Sequence, residues 1–276
     1  MGDATSYALV ALDLDGTAVR TDGTVSERLK RAIRECHKRN IRVILATGRM
    51  PQSALRYWQE LDLSRGPLIA YQGALVMWVP DGEIVSRVAL PDDAARTAVD
   101  WALRHGLLTQ VYVGRELWVS REDARARRYI DANHIPALVR SPQEIVDWPE
   151  PPIKLLLQDQ EAVLDRLRDD LQELMRSYPV RIFKSQADYL EVVSDRVGKS
   201  VGLEAAAALL EIPRERVVAI GDAENDLDML EWAGFGVAMG QAPDAVKTSC
   251  DAVTGSVDED GAALALERWV LHMPTQ

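Results

Sequence analysis

Three short apolar runs, each ending in small or polar residues, constrain the fold of this chain most. Residues 8–12 (Ala-Leu-Val-Ala-Leu) run straight into Asp13. Residues 42–46 (Arg-Val-Ile-Leu-Ala) end at Thr47-Gly48-Arg49, and residues 68–71 end at Gln72-Gly73. A short continuous apolar run bounded by turn residues suits a strand buried on both faces, as in a parallel sheet. Between the first two lies a segment with Leu29, Ile33 and Cys36 at helical spacing, preceded by the capping residue Ser26. Pro51 suits the first turn of the next helix. The rhythm strand, helix, strand, helix, strand predicts a parallel α/β sheet.

From about residue 83 the rhythm changes. A helix over 94–105 stops at Gly106, and two short strands follow near 109–113 and 117–120. Then come a helix near 123–132, a strand at 153–158, a helix over 161–177, and strands near 180–183 and 189–193. Paired strands on short turns, mixed with helices, predict an antiparallel sheet backed by helices. The first rhythm returns with a helix over 199–210, a strand over 217–220 ending at Gly221-Asp222, a helix at 227–232, a strand at 236–239 and a terminal helix over 261–271. The expected fold class is therefore α/β, a Rossmann-like parallel-sheet core with an inserted α+β cap domain. The expected bounds are 1–82 and 190–276 for the core and 83–189 for the cap.

Charge narrows the partners. The net charge is −11, which argues against nucleic acid and against a polybasic membrane surface. The N-terminus has no basic segment leading into a signal-type apolar stretch, and no segment reaches membrane-spanning length. A cytoplasmic protein, monomer or small homo-oligomer, is expected. Cys36 and Cys250 are too few and too far apart for a disulfide framework, and both are expected as small apolar residues.

The chemistry-bearing residues cluster where strands end. Asp13 and Asp15 lie two apart just past a strand, so persisting strand geometry would point both the same way. Two carboxylates there repel unless a proton or metal lies between them. A carboxylate can act as a nucleophile and a second can move the proton of a leaving oxygen. Gly16 and Thr17 allow a close turn around an anion. The bland alternative is that the two acids merely end a strand. Thr47 and Gly48 offer a hydroxyl and backbone N–H groups to an anion, though Thr-Gly is also a common turn. Arg49 can face a substrate or simply be solvated. Lys199 follows Gly198 at a helix start, where the dipole disfavours a cation, which makes sense if the ammonium meets a phosphate or carboxylate; an isolated lysine is otherwise an exposed one. Gly221-Asp222-Ala223-Glu224-Asn225-Asp226 places acids at another strand end, pointing to a Mg²⁺ site with Asp222 as the direct ligand, unless these acids only cap a helix.

In this order, Asp13-Leu14-Asp15-Gly16-Thr17, Thr47-Gly48-Arg49, Lys199 and Gly221-Asp222-x-x-Asn225-Asp226 resemble the motifs of the haloacid dehalogenase-like phosphatases. The large insert resembles the type IIB cap of the Cof-type subfamily. The resemblance implies a mobile cap over a Rossmann-like core, Mg²⁺ as cofactor and a small-molecule phosphate ester, a sugar or polyol phosphate, as substrate. It implies Asp13 as nucleophile and metal ligand, and Asp15 as general acid/base with its carbonyl on the metal. Thr47, Gly48, Lys199 and Asn225 would hold phosphate, Asp222 the metal, and Asp226 the metal's waters or Lys199. Arg49 and Gln72 are candidate substrate contacts. Two positions depart from the usual pattern: Gln72 stands where asparagine is usual, and Ser200 where glycine is usual. A phosphosugar mutase and a non-catalytic phospho-ligand binding module are the competing readings.

Overall fold

The computed structural model describes residues 7–273. The chain forms two compact units, one comprising Met1–Ser86 with Gly198–Gln276 and the other Arg87–Val197. These divisions fall four and eight residues beyond the bounds expected at 82/83 and 189/190. The second shift has a plain cause: the strand Tyr189–Ser194 pairs antiparallel with Lys154–Gln158, so it lies in the inserted sheet throughout.

In the first unit the strands Leu9–Leu12, Arg42–Leu45, Val217–Gly221, Phe235–Ala238 and Ala252–Val253 form a five-stranded sheet, every neighbouring pair parallel. Leu9–Leu12 is an interior strand, between Arg42–Leu45 and Val217–Gly221, and all four of its residues are buried. Being parallel, these strands end on the same edge. The register Leu12↔Leu45 and Leu12↔Ile220 therefore sets Asp13, Ala46 and Gly221 side by side, each at the head of a loop. The helix Glu27–Lys38 returns the chain between the first two strands. Its Ser26 cap accepts the Leu29 N–H at 3.1 Å, and it buries Leu29, Ala32, Ile33 and Cys36 on one side. Burial pushes the Cys36 thiol up to about 12. Cys250 is half-buried.

The strand Gly66–Ala70 joins this edge through a parallel bridge between Ala46 and Ile69. It also turns back into a hairpin with Leu75–Val79, extended by Ile84–Arg87, which the sequence pattern did not reveal. The turn between them carries three consecutive left-handed residues, Tyr71 (φ 51°), Gln72 (φ 58°) and Gly73 (φ 90°). Such conformations in non-glycine residues concentrate at functional sites.

The second unit contains a six-stranded sheet with the helices Asp92–Arg104 and Glu161–Leu174 packed through Ala94, Ala98, Ala102, Leu164, Leu167 and Leu171 onto Val111, Leu155, Leu157 and Val192. Its strands are antiparallel except at one edge, where Ala137–Val139 runs parallel to Glu116–Val119. No helix among the described residues is long and apolar enough to cross a membrane.

Candidate active site

The first loop leaves the sheet at Asp13, whose N–H still completes the ladder to the Ile220 carbonyl at 2.9 Å. Strand geometry stops there. The Leu14 carbonyl gathers the N–H groups of Thr17, Ala18 and Val19 into a tight turn. Asp13 is buried, while the Asp15 side chain is 56% exposed. Gly16 sits at φ +82°, and a Cβ there would lie 2.3 Å from Asp222 Oδ2. The glycine thus serves both the turn and the close approach of the second loop.

Lys199 organises the buried side of the site. Its ammonium is fully enclosed and donates to Asp13 Oδ1 and to Asp226 Oδ1, each at 2.5 Å. Burial alone would lower this lysine, but the two carboxylates and their hydrogen bonds outweigh it and hold the ammonium above its ordinary range. The unfavourable position at the N-terminus of the helix Lys199–Leu209 is thereby accounted for. Asp226 has no free oxygen: Oδ2 accepts the N–H groups of Asp222 and Ala223, both at 3.0 Å. It therefore fixes the second loop to the lysine. Asp13 Oδ2, by contrast, takes no hydrogen bond among the described residues.

Asp13, Asp222 and Asp226 bring one carboxylate oxygen each within 4.8 Å of the others, a group able to hold a metal ion. The Asp15 carboxylate stands outside it. Burial, then repulsion from Asp226, pushes Asp13 up to about 8 despite the lysine. Asp222 rises to about 6 from the same two causes. Without a cation the group is thus held together partly by protons, the state a divalent ion relieves.

The second and third loops supply polar groups. Thr47 is buried, and its N–H is bonded to the Ile69 carbonyl. Its hydroxyl oxygen accepts the Arg49 N–H at 3.1 Å. Of the Thr-Gly-Arg amides, Gly48 is the one left for an anion, beside the Thr47 hydroxyl proton. Arg49 faces Asp15 as a bidentate pair, Nε to Oδ2 at 2.8 Å and Nη2 to Oδ1 at 2.5 Å. Gln72 lies directly over Gly48, where a Cβ would meet its Nε2 at 2.4 Å, and its Oε1 accepts from Asn225 Nδ2 at 3.0 Å. The longer glutamine thus spans two loops of the site. Ser200 is turned away: its N–H and hydroxyl both donate to Asp228 Oδ2.

One residue of the site was not singled out by the sequence. Gln241, a neutral amide just past the strand Phe235–Ala238, donates to the Gly16 carbonyl at 2.6 Å and to Asp222 Oδ2 at 3.3 Å. Its own oxygen accepts the Val257 N–H at 3.0 Å. Gln241 therefore ties the first loop to the second. Its only hint was its place beyond another strand end.

Known proteins are similar to this chain over most of its length. The profile of a family described as haloacid dehalogenase-like hydrolase matches residues 10–266. The 5-amino-6-(5-phospho-D-ribitylamino)uracil phosphatase YitU of Bacillus subtilis (strain 168) is 30% identical over 274 residues, spanning 95% of this chain and 97% of that protein. Among solved structures, a protein of Thermotoga maritima is 30% identical, with a TM-score of 0.86 over 98% of each chain. A haloacid dehalogenase-like hydrolase from Bacteroides thetaiotaomicron is 28% identical, also at 0.86, over 95% of this chain and 99% of that one.

Proposed function

Since this chain belongs to the haloacid dehalogenase-like hydrolases, as a phosphoric monoester hydrolase of the Cof type, we propose that it is a Mg²⁺-dependent phosphatase of small phosphorylated metabolites with Asp13 as its nucleophile. The observation that carries this reading is the asymmetry of Asp13. One oxygen is anchored by the Lys199 ammonium, and the other takes no hydrogen bond at the mouth of three loops.

In this mechanism Asp13 Oδ2 attacks phosphorus as the bond to the ester oxygen breaks. Asp15 gives its proton to the departing alkoxide. It then takes a proton from water, whose oxygen attacks the phosphorus of the aspartyl-phosphate and returns Asp13 as a carboxylate. Lys199, the Gly48 N–H, the Thr47 hydroxyl and Asn225 hold the phosphoryl oxygens. The donor set fits Mg²⁺, which favours one or two carboxylates completed by water and phosphate oxygens. Asp13 and Asp222 would hold it, and when bound it supplies neutralising charge between the carboxylates and the phosphoryl group. Asp226, committed to Lys199 and to two amides, supports the loop rather than the ion.

A sugar or polyol phosphate is the proposed substrate class. The Bacillus subtilis relative is named for a phosphorylated ribityl compound, which belongs to that class. The test is phosphate release from p-nitrophenyl phosphate, then from a panel of sugar and polyol phosphates, with Mg²⁺ and with EDTA. Activity is expected to need the metal and to fall by about a thousandfold or more in Asp13→Asn. Full activity in that variant would sink the nucleophile assignment.

A further inference from the structure

We infer that Arg49 is the positioning residue for Asp15, held rigid for that purpose by Ser53 and Tyr57. The inference rests on the proposed acid/base role of Asp15. A proton donor must meet the leaving oxygen within hydrogen-bonding reach, and a carboxylate on an exposed turn has many rotamers to choose from. Here both oxygens of Asp15 are engaged by one planar guanidinium, through two parallel bonds of 2.8 and 2.5 Å. Such a fork fixes direction as well as distance.

The guanidinium is itself fixed. Arg49, Ser53 and Tyr57 follow at intervals of four along the helix Pro51–Glu60 and its lead-in, so they share one stripe. Arg49 Nη1 donates to Ser53 Oγ at 3.0 Å, and its Cζ lies 5.2 Å from the centre of the Tyr57 ring. Ser53 and Tyr57 are both buried. The backbone is pinned on both sides: the Arg49 N–H to Thr47 Oγ1, and its carbonyl to the Tyr71 N–H, both at 3.1 Å. An ion pair this exposed adds little stability, so stability does not account for so much bracing. Orientation of the carboxyl does. Before it meets the leaving oxygen, one Asp15 oxygen exchanges its Arg49 bond for a proton from solvent, the proton it then delivers, while the other oxygen stays on the guanidinium.

The test separates esters that need a proton from those that do not. Phenyl phosphate has a poor leaving group, whereas 2,4-dinitrophenolate departs unprotonated. kcat/KM, which reports formation of the aspartyl-phosphate, is measured with the Mg²⁺-loaded enzyme. Asp15→Asn is expected to lose roughly 10²–10⁴-fold on phenyl phosphate and less than about tenfold on the dinitrophenyl ester. Arg49→Ala should follow the same split, on the order of 10²-fold against little change. Adding Arg49→Ala to Asp15→Asn should cost nothing further on phenyl phosphate. Ser53→Ala should show the same split at smaller size, and it keeps the inference testable where Arg49→Ala does not fold. Equal losses on the two esters in the Arg49 and Ser53 variants, or additive losses in the double variant, overturn the inference. A wild-type enzyme inactive on both esters, or an Asp15→Asn variant with no split, instead refutes the underlying chemistry.

Discussion

Replacing Lys199 with methionine removes a buried ammonium while keeping the length of its stem. In the metal-free protein its two partners are enclosed, the Asp13 and Asp226 side chains being 8% and 1% exposed. Asp13 is pushed up to about 8, so near neutral pH it holds a proton and the lysine balances the remaining negative charge. Without the ammonium, one more carboxyl has to be buried in neutral form. That costs about 1.4 kcal/mol for each pH unit above the ordinary carboxylate value near 4. The expected loss is about 4 kcal/mol at pH 7 and about 1.5 kcal/mol at pH 5. The first figure agrees with the roughly 3–5 kcal/mol typical of a broken buried pair. The sign follows from proton counting. Folded, the variant holds as many protons as the wild type, its extra carboxyl proton standing in for that of the ammonium, whereas unfolded it holds one fewer, so the deficit vanishes in acid and widens as pH rises. Urea unfolding of both proteins in EDTA at pH 5 and pH 7 measures it. A deficit equal at the two pH values, or below about 1 kcal/mol at pH 7, would refute the reasoning.

Three other outcomes are expected. Gly16→Ala forces a Cβ to 2.3 Å from Asp222 Oδ2 at φ +82°, and should weaken Mg²⁺ binding at least about tenfold while lowering stability by about 1–2 kcal/mol; calorimetric titration and thermal unfolding read the two effects. Mg²⁺ affinity should tighten as pH rises from 6 to 8, by up to about tenfold per unit, because Asp13 (about 8) and Asp222 (about 6) must give up protons to bind it; titrations in buffers of different ionisation heat would reveal the released proton, and a pH-independent affinity would contradict this. Gln241→Leu breaks the tie between the Gly16 carbonyl and Asp222, and should raise the Mg²⁺ concentration for half-maximal activity several-fold, about 1 kcal/mol, with kcat at saturating metal little changed. An unchanged Mg²⁺ requirement in that variant would leave Gln241 no part in placing Asp222.

Much of the core was legible because its signals are local. Apolar runs such as residues 8–12 reveal buried strands, and Ser26 and Pro51 mark helix starts, with no knowledge of distant residues. The strands Leu75–Val79 and Ile84–Arg87, which complete the hairpin begun by Gly66–Ala70, were not legible. The first of them follows a left-handed turn through Tyr71 and Gln72, which no residue type announces in advance. The exposure of Asp15 was not legible, because strand alternation holds only while the ladder continues, and the Leu14 carbonyl ends it one residue past Asp13. Ser200 shows the converse. A departure that looked relevant to the site is satisfied by Asp228, off to one side.

The sequence by itself determined which groups stand at strand ends: Asp13, Thr47 and Asp222 are there because buried strands stop at turn residues, a matter of neighbours in the chain. What each group does to the others was decided only by tertiary structure. Lys199 lies 186 residues from Asp13 and 27 from Asp226, and no local pattern encodes that meeting. The parallel register aligns the strand ends, burial removes water from between the charges, and the ammonium then fixes one oxygen of Asp13 and one of Asp226. Electrostatic roles of this kind depend on distance and dielectric, which exist only once the chain has folded.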